Sequence, residues 1–174
     1  MPSQLDQFRD FADYNAWANR RLYDAVAALP AGGFERSRSA GFFGSLLGVL
    51  NHLLVADRIW MDRLEHLPPA GLKLDTVLHA DLSELRAARE AEDERIGQFV
   101  RGLDAADLDS TVAYKTGAGT PQSDLLGRLL SHVFNHQTHH RGQAHALLTD
   151  AGTDPPPLDY LYYRRELQQA GAAE

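Results

Sequence analysis

Residues 119–148, GTPQSDLLGRLLSHVFNHQTHHRGQAHALL, set leucines and histidines at one helical spacing. On a wheel turning about 100° per residue with Val133 at zero, Leu126 and Ala144 fall near +20° and Leu129 and Leu147 near −40°. The apolar stripe is then centred at about −10°. His140 lies near −20° and His136 near −60°, where leucines would otherwise stand. His132 and His139 lie on the flank, near −100° and −120°, and His145 is farther round. Histidines four apart sit one turn along one face, so both imidazoles of the 136/140 pair reach a single ion. Burying two polar rings is costly unless they find partners, and a metal satisfies one nitrogen on each.

The rest of the chain repeats the helical period. From about Gln4 to Leu29, Leu5, Phe8, Phe11 or Ala12, Asn15, Ala18, Leu22 and Val26 form a stripe that Pro30 and Gly32–Gly33 end. Ser45 is the expected N-cap of a second helix running to about Leu67, which PPAG at 68–71 breaks. A third helix is expected from Asp81 to Leu103, with charges in mid-stripe that make it the most solvated. Residues 104–120 alternate enough for a short strand or hairpin. Pro121, capped by Thr120, is expected to open the fourth helix, which runs to about Asp150. The PPP at 155–157 terminates that segment, LDYLYYRREL reads as a short aromatic helix, and the final AGAAE frays. Four long helices and short connections predict an all-α fold: one domain over 1–174, an antiparallel four-helix bundle with a short irregular or hairpin insert before the fourth helix and a short C-terminal helix.

Composition narrows the chemistry. With no cysteine, the chain has no disulfide, no zinc–thiolate site and no thiol nucleophile, so a metal must sit on His, Asp or Glu. A net charge of −7 without a basic stripe argues against nucleic acid as a partner. No apolar run approaches the ~20 residues that span a bilayer, so no membrane partner is expected. The polar, acidic start MPSQLDQFRD lacks the pattern of a signal peptide, and the expectation is cytoplasmic.

Two histidines do not make a tight metal site, so a third ligand has to come from another helix. His52, in LNHLLVADRIW, is the natural candidate, but its wheel position is ambiguous and Asp57 and Asp13 are rivals. His66 and His79 stand beside helix breakers and read as loop residues. Asn135 and Gln143 are candidates to orient the ligand rings through hydrogen bonds. Gly142 suggests a close helix approach, Arg141 reads as a solvated surface residue with pairing to an acid on a neighbouring helix as the alternative, and Tyr14, Trp17 and Trp60 read as core.

Four stretches decide between the rival ligands: YNAWANRRL at 14–22, SLLGVLNHLLVADRIWMDRL at 45–64, the 119–148 segment with its NHQTHHRGQ, and the closing LDYLYYRREL. In that order they resemble the DinB-like (YfiT-like, bacillithiol-transferase-like) superfamily of metal-dependent bundle proteins across essentially the whole chain. The resemblance implies a three-histidine site for one divalent metal, often nickel or zinc, with one ligand on the second helix and two on the fourth. His52 matches the first, and His136 and His140 match the pair; His139 falls outside the pattern, and His132 stands at the site edge.

Three neutral imidazoles leave coordination positions open and the ion's charge uncompensated, so a bound thiol or water is stabilised as its anion. The resemblance implies the thiol: a metal-dependent S-transferase using a low-molecular-weight thiol co-substrate on small electrophiles, in detoxification or stress response. The alternatives are a metal-dependent hydrolase using a metal-bound hydroxide, and a non-catalytic metal-binding or dimerisation module. Iron, cobalt and manganese are further candidates for the ion. Family habit alone implies a homodimer.

Overall fold

The computed structural model describes residues 2–38 and 42–172. Four long helices form the body: α1 (Gln4–Ala27), α2 (Leu46–Leu64), α3 (Leu82–Arg101) and α4 (Leu126–Asp150), followed by a short α5 (Tyr160–Gly171). The all-α bundle expected from the periodicity is present. Local caps set the starts. Ser3 and Asp6 form a capping box on α1, Ser45 Oγ accepts from the Gly48 amide on α2, and Asp81 caps α3. Of the expected fraying tail, 173–174 lie outside the described residues.

Pro121 does not open α4. It begins a strand, β2 (Pro121–Leu125), which pairs antiparallel with β1 (Thr111–Lys115) in the register Thr111↔Leu125 to Lys115↔Pro121. A proline lacks an amide donor and is tolerated at the first residue of such a strand, so it marks helix N-termini and strand starts alike. Gly119, at φ +82°, makes the turn between the strands. Trp60 packs edge-on against Tyr114 at 5.4 Å, and Arg63 donates to the Lys115 carbonyl at 2.9 Å, seating the hairpin on α2.

The connections at 28–45, 65–81 and 102–125 are longer than the short links the sequence suggested. They have to be, because α1 and α2 each pack against both α3 and α4: α1/α2 and α3/α4 stand on diagonals, and the 65–81 link must run back along the bundle to start the neighbouring α3 parallel to α2. Side-chain pairs give the directions. On α1 and α3, Asp13 meets Arg101, Asn19 meets Asp93 and Asp24 meets Arg86, an antiparallel order. Across α2 and α4, His52 meets His140 and Trp60 meets His132, again antiparallel. By the same logic α2 runs parallel to α3 (Asp57 to Arg89, Asp62 to Arg95), and α1 runs parallel to α4 (Phe8 to Phe134, Asn15 to Arg141).

The core is split. One apolar cluster gathers Leu5, Phe8, Met61, Val100, Leu130 and Phe134; the other gathers Leu22, Val26, Leu50, Leu54, Leu85 and Leu147. Between them lies a buried polar layer. Arg89 on α3 stands 2.7 Å from Asp57 and 3.0 Å from Asp93, and Asp93 accepts from Asn15 and Asn19. Gln137 donates to Asp57, and Arg141 donates to Asn15. The charges in mid-α3 therefore point inward, and the expectation that α3 is the most solvated helix fails for Arg89, Glu92 and Asp93. Burial works against the Arg89 charge, but Asp93 and Asp57 more than offset it, so the guanidinium is held above its ordinary pKa.

α5 lays Tyr163 on Trp17 at 5.7 Å, and Tyr14 donates to the Leu158 carbonyl at 2.7 Å, closing the outer face of α1. No helix among the described residues is long and apolar enough to cross a membrane.

Candidate metal centre

The buried face of α4 is wider than its leucines indicated. Gln137 and Arg141, near +40° and +80° on the same wheel, are buried along with Phe134 near +100°. The centre of the face thus moves to positive angles, and His136 and His140 come to its edge, half-buried rather than in leucine positions. The edge is where a ligand has to stand if solutes are to reach it.

α2 supplies the third ring. His52 is 4% exposed, on a stretch from Asn51 to Asp57 that is buried all round. Its Nε2 lies 3.3 Å from His136 Nε2 and 3.2 Å from His140 Nε2. The three form the group of ligand-type side chains, all within 4.8 Å of one another, that can hold an ion among the described residues. The rivals are engaged elsewhere: Asp57 is bound to Arg89 and Gln137, and Asp13 is exposed beside Arg101.

Hydrogen bonds set the tautomers. A carbonyl only accepts, so His52 Nδ1 must donate to Leu74 O at 2.8 Å, leaving its Nε2 with a bare lone pair. His140 Nδ1 donates to Gln143 Oε1 at 2.8 Å, the amide being oriented by its other end, which donates to His139 Nε2. Two bare nitrogens 3.2 Å apart repel. A cation between the rings removes that repulsion for all three, whereas a proton bridges only one pair. Two nitrogens at ~2.0–2.1 Å from a tetrahedral zinc stand about 3.4 Å apart, close to the separations here. His136 Nδ1 is buried without a partner, so nothing but its Nε2 contact ties this ring down. The donor set fits a divalent ion.

Electrostatics agree. Burial lowers the pKa of all three rings, and His136 falls to about 3 through burial first and then the neighbouring His140 and His52. All three are neutral at pH 7 and able to ligate. The folded values lie below the unfolded value of ~6.5, so below that pH the unfolded chain binds more protons. Stability of the metal-free protein should therefore fall as pH drops from ~6.5 toward 3. The check is the urea midpoint of wild type and His136→Ala at pH 7 and pH 5, where the wild type should lose more.

Around the rings the surroundings are aromatic. Phe43 stacks on His52 at 4.0 Å and meets His140 edge-on at 5.5 Å, while Phe42 beside it is exposed. On the far side His132 sits edge-on to Trp60 at 4.8 Å and 5.9 Å from His136, the site-edge place expected for it.

A family model described as the DinB family matches residues 1–171. The chain belongs to the DinB family. Protein DinB of Bacillus subtilis (strain 168) is 28% identical over 167 residues, covering 88% of this chain and 94% of that protein. A solved structure of YfiT from Bacillus subtilis, described as a probable metal-dependent hydrolase with an unusual four-helix bundle topology, matches with TM-score 0.67. It covers 88% of this chain and 92% of that chain at 17% identity, a likeness of fold.

Three sequence expectations for this DinB-family chain need correction. Arg141 is not a solvated surface residue: it is 3% exposed in the polar layer. Gly142 makes no close helix approach, since a Cβ there would meet nothing within 4 Å. Asn135 is exposed and bonds to none of the three rings, leaving the orienting role to Gln143. Sequence reasoning also missed Asn51, which is buried beside His52. Asn51 donates to the His79 carbonyl and accepts from the Leu78 and His79 amides, pinning the 65–81 segment that brings Leu74 O to His52. Its placement next to His52 in NHLL was the available signal.

Partners that orient a ligand ring typically contribute ~10–100-fold to metal affinity. Gln143→Ala should weaken zinc binding by about that factor in a chelator competition, and Asn135→Ala should leave it unchanged.

Proposed function

We propose that this chain is a metal-dependent enzyme in which His52, His136 and His140 hold one divalent ion that activates a low-molecular-weight thiol for S-transfer to a small electrophile. Zinc and nickel are the ions that the family resemblance points to, and an all-imidazole set accepts both. An ion on three neutral ligands keeps its full positive charge, which stabilises a coordinating thiol as its anion.

The observation that favours the thiol over water is that no carboxylate base reaches the three rings among the described residues. Among the described residues no carboxylate hydrogen-bonds to any of the three rings, and the buried Asp57 is already held by Arg89 and Gln137. Activated water attacking an amide or ester gains from a positioned base that also serves the leaving group. A thiolate needs no further proton removal: its sulfur forms a bond to the electrophilic carbon as the leaving group departs. The chain's own part is orientation and exclusion. Leu74 O and Gln143 hold two rings in the ligating tautomer, and Phe43 covers the His52 face against water. The absence of cysteine means that no protein thiol competes with the co-substrate.

Hydrolysis is the second reading, favoured by the description of YfiT as a probable metal-dependent hydrolase. Screening the zinc- and nickel-loaded protein with thiols and electrophiles, and separately with amides and esters, distinguishes the two. S-transfer predicts turnover only when a thiol is present. Turnover of an ester or amide without thiol rejects it.

A further inference from the structure

α4 has a second working face. On the side away from the histidines it turns Phe134, Thr138 and Arg141 toward α1, and the two helices enclose a cavity of about 230 Å³. Phe8, Phe11 and Phe134 make a continuous aromatic wall, with Phe8 and Phe11 at 6.2 Å and 5.9 Å from the Phe134 ring. Gln7 and Asn135 are exposed and mark the mouth, while Asn15 and Arg141 are buried and mark the closed end.

Arg141 is the anomaly in this cavity. It is a buried guanidinium, yet no carboxylate lies within ion-pair distance of it among the described residues. The nearby acids, Asp57 and Asp93, are taken by Arg89. Arg141 instead donates to three neutral oxygens, Asn15 Oδ1, Gln137 Oε1 and Thr138 Oγ1, and its guanidinium lies 5.3 Å from the Tyr14 ring. A guanidinium carries five N–H donors, so donors remain. Buried charges are ordinarily paired, and a forked cation facing a cavity matches a carboxylate. Burial pulls the Arg141 pKa below its ordinary value, the opposite of Arg89 with its two acids.

We propose that this cavity is a binding site for a small carboxylic acid with an apolar ring or branched tail, the carboxylate on Arg141 and the tail against Phe8, Phe11 and Phe134. The volume is below the ~300 Å³ at which pockets for drug-sized ligands begin, so the acid is compact. The site is independent of the metal centre, because Arg141 and the three histidines face different neighbours of α4.

Calorimetric titration of the zinc-loaded protein with phenylacetate and its neutral counterpart phenylacetamide tests this. The acid should bind about tenfold or more tightly than the amide, the margin of a charge-assisted contact. His52→Ala should bind the acid as wild type does. Gln7→Trp, on the exposed rim, should weaken acid binding about tenfold while melting temperature and metal content stay at wild-type values. Arg141→Met, where it folds, should erase the preference for the acid. Equal affinity for acid and amide, no binding of the acid, loss of binding in His52→Ala, or unchanged binding in Gln7→Trp each overturns the proposal.

Discussion

His52→Ala is expected to lose the divalent ion proposed for the three-histidine site and, with it, the stability that such an ion would confer. Two histidines on one helix make a weak site, whereas the third ring, brought from α2, closes the set. An ion present at a hundredfold its dissociation constant adds ~2.7 kcal/mol to the folded state. For a chain of this size each kcal/mol is worth ~2–4 °C, so zinc should raise the wild-type melting temperature by roughly 5–10 °C. In His52→Ala that rise should vanish, and elemental analysis should find less than a stoichiometric ion. The metal-free variant should melt close to the metal-free wild type, because the lost Leu74 contact is offset by removing one of the two bare nitrogens that face each other, His52 Nε2 and His140 Nε2. Stoichiometric zinc in the variant would refute the ligand set.

Arg89→Leu should be the most damaging single substitution outside the histidine site. Arg89 and Asp57 are each 1% exposed, and removing the cation leaves Asp57 and Asp93 buried without a counter-charge. Breaking a buried pair in this way costs ~3–5 kcal/mol, a large fraction of the ~5–15 kcal/mol that holds a domain folded. Distance alone does not predict this. Arg86 lies the same 2.7 Å from Asp24, but both are substantially exposed, and Arg86→Leu should cost ~1 kcal/mol or less. Urea unfolding of the two variants side by side reads the contrast directly. The double change Arg89→Leu with Asp57→Asn should recover part of the loss, since it removes one of the stranded charges.

The helices were legible because apolar periodicity is strong over twenty residues and the caps Ser45 and Asp81 are explicit. The pairing of His136 with His140 was legible from their four-residue spacing, although the apolar stripe set both rings deeper than they lie. His52 was not decided by its own helix: α2 is buried nearly all round, so no polar face exists against which to measure it. Pro121 misled because a missing amide donor is equally compatible with a helix start and a strand start. The buried charges of α3 misled for a deeper reason. A wheel treats Arg89, Glu92 and Asp93 as solvent-seeking, and their partners Asp57, Arg58 and Asn15 sit on two other helices, α2 and α1. Pairing across that distance in sequence leaves no periodic trace. The diagonal placement of α1 against α2 and of α3 against α4 is hidden likewise, since it depends on what the long connections do rather than on any helix.

The hydrogen bond that fixes the His52 tautomer ends on a backbone carbonyl, and so does part of the Asn51 anchor beneath it. No side chain of the 65–81 segment is required for either contact. That segment is free to change its side chains, and the exposed Leu74 and Val77 it carries, while the ring it steadies keeps its aim. A change of side chain along this segment should therefore leave the aim of the His52 ring intact, whereas a change in its backbone path should not.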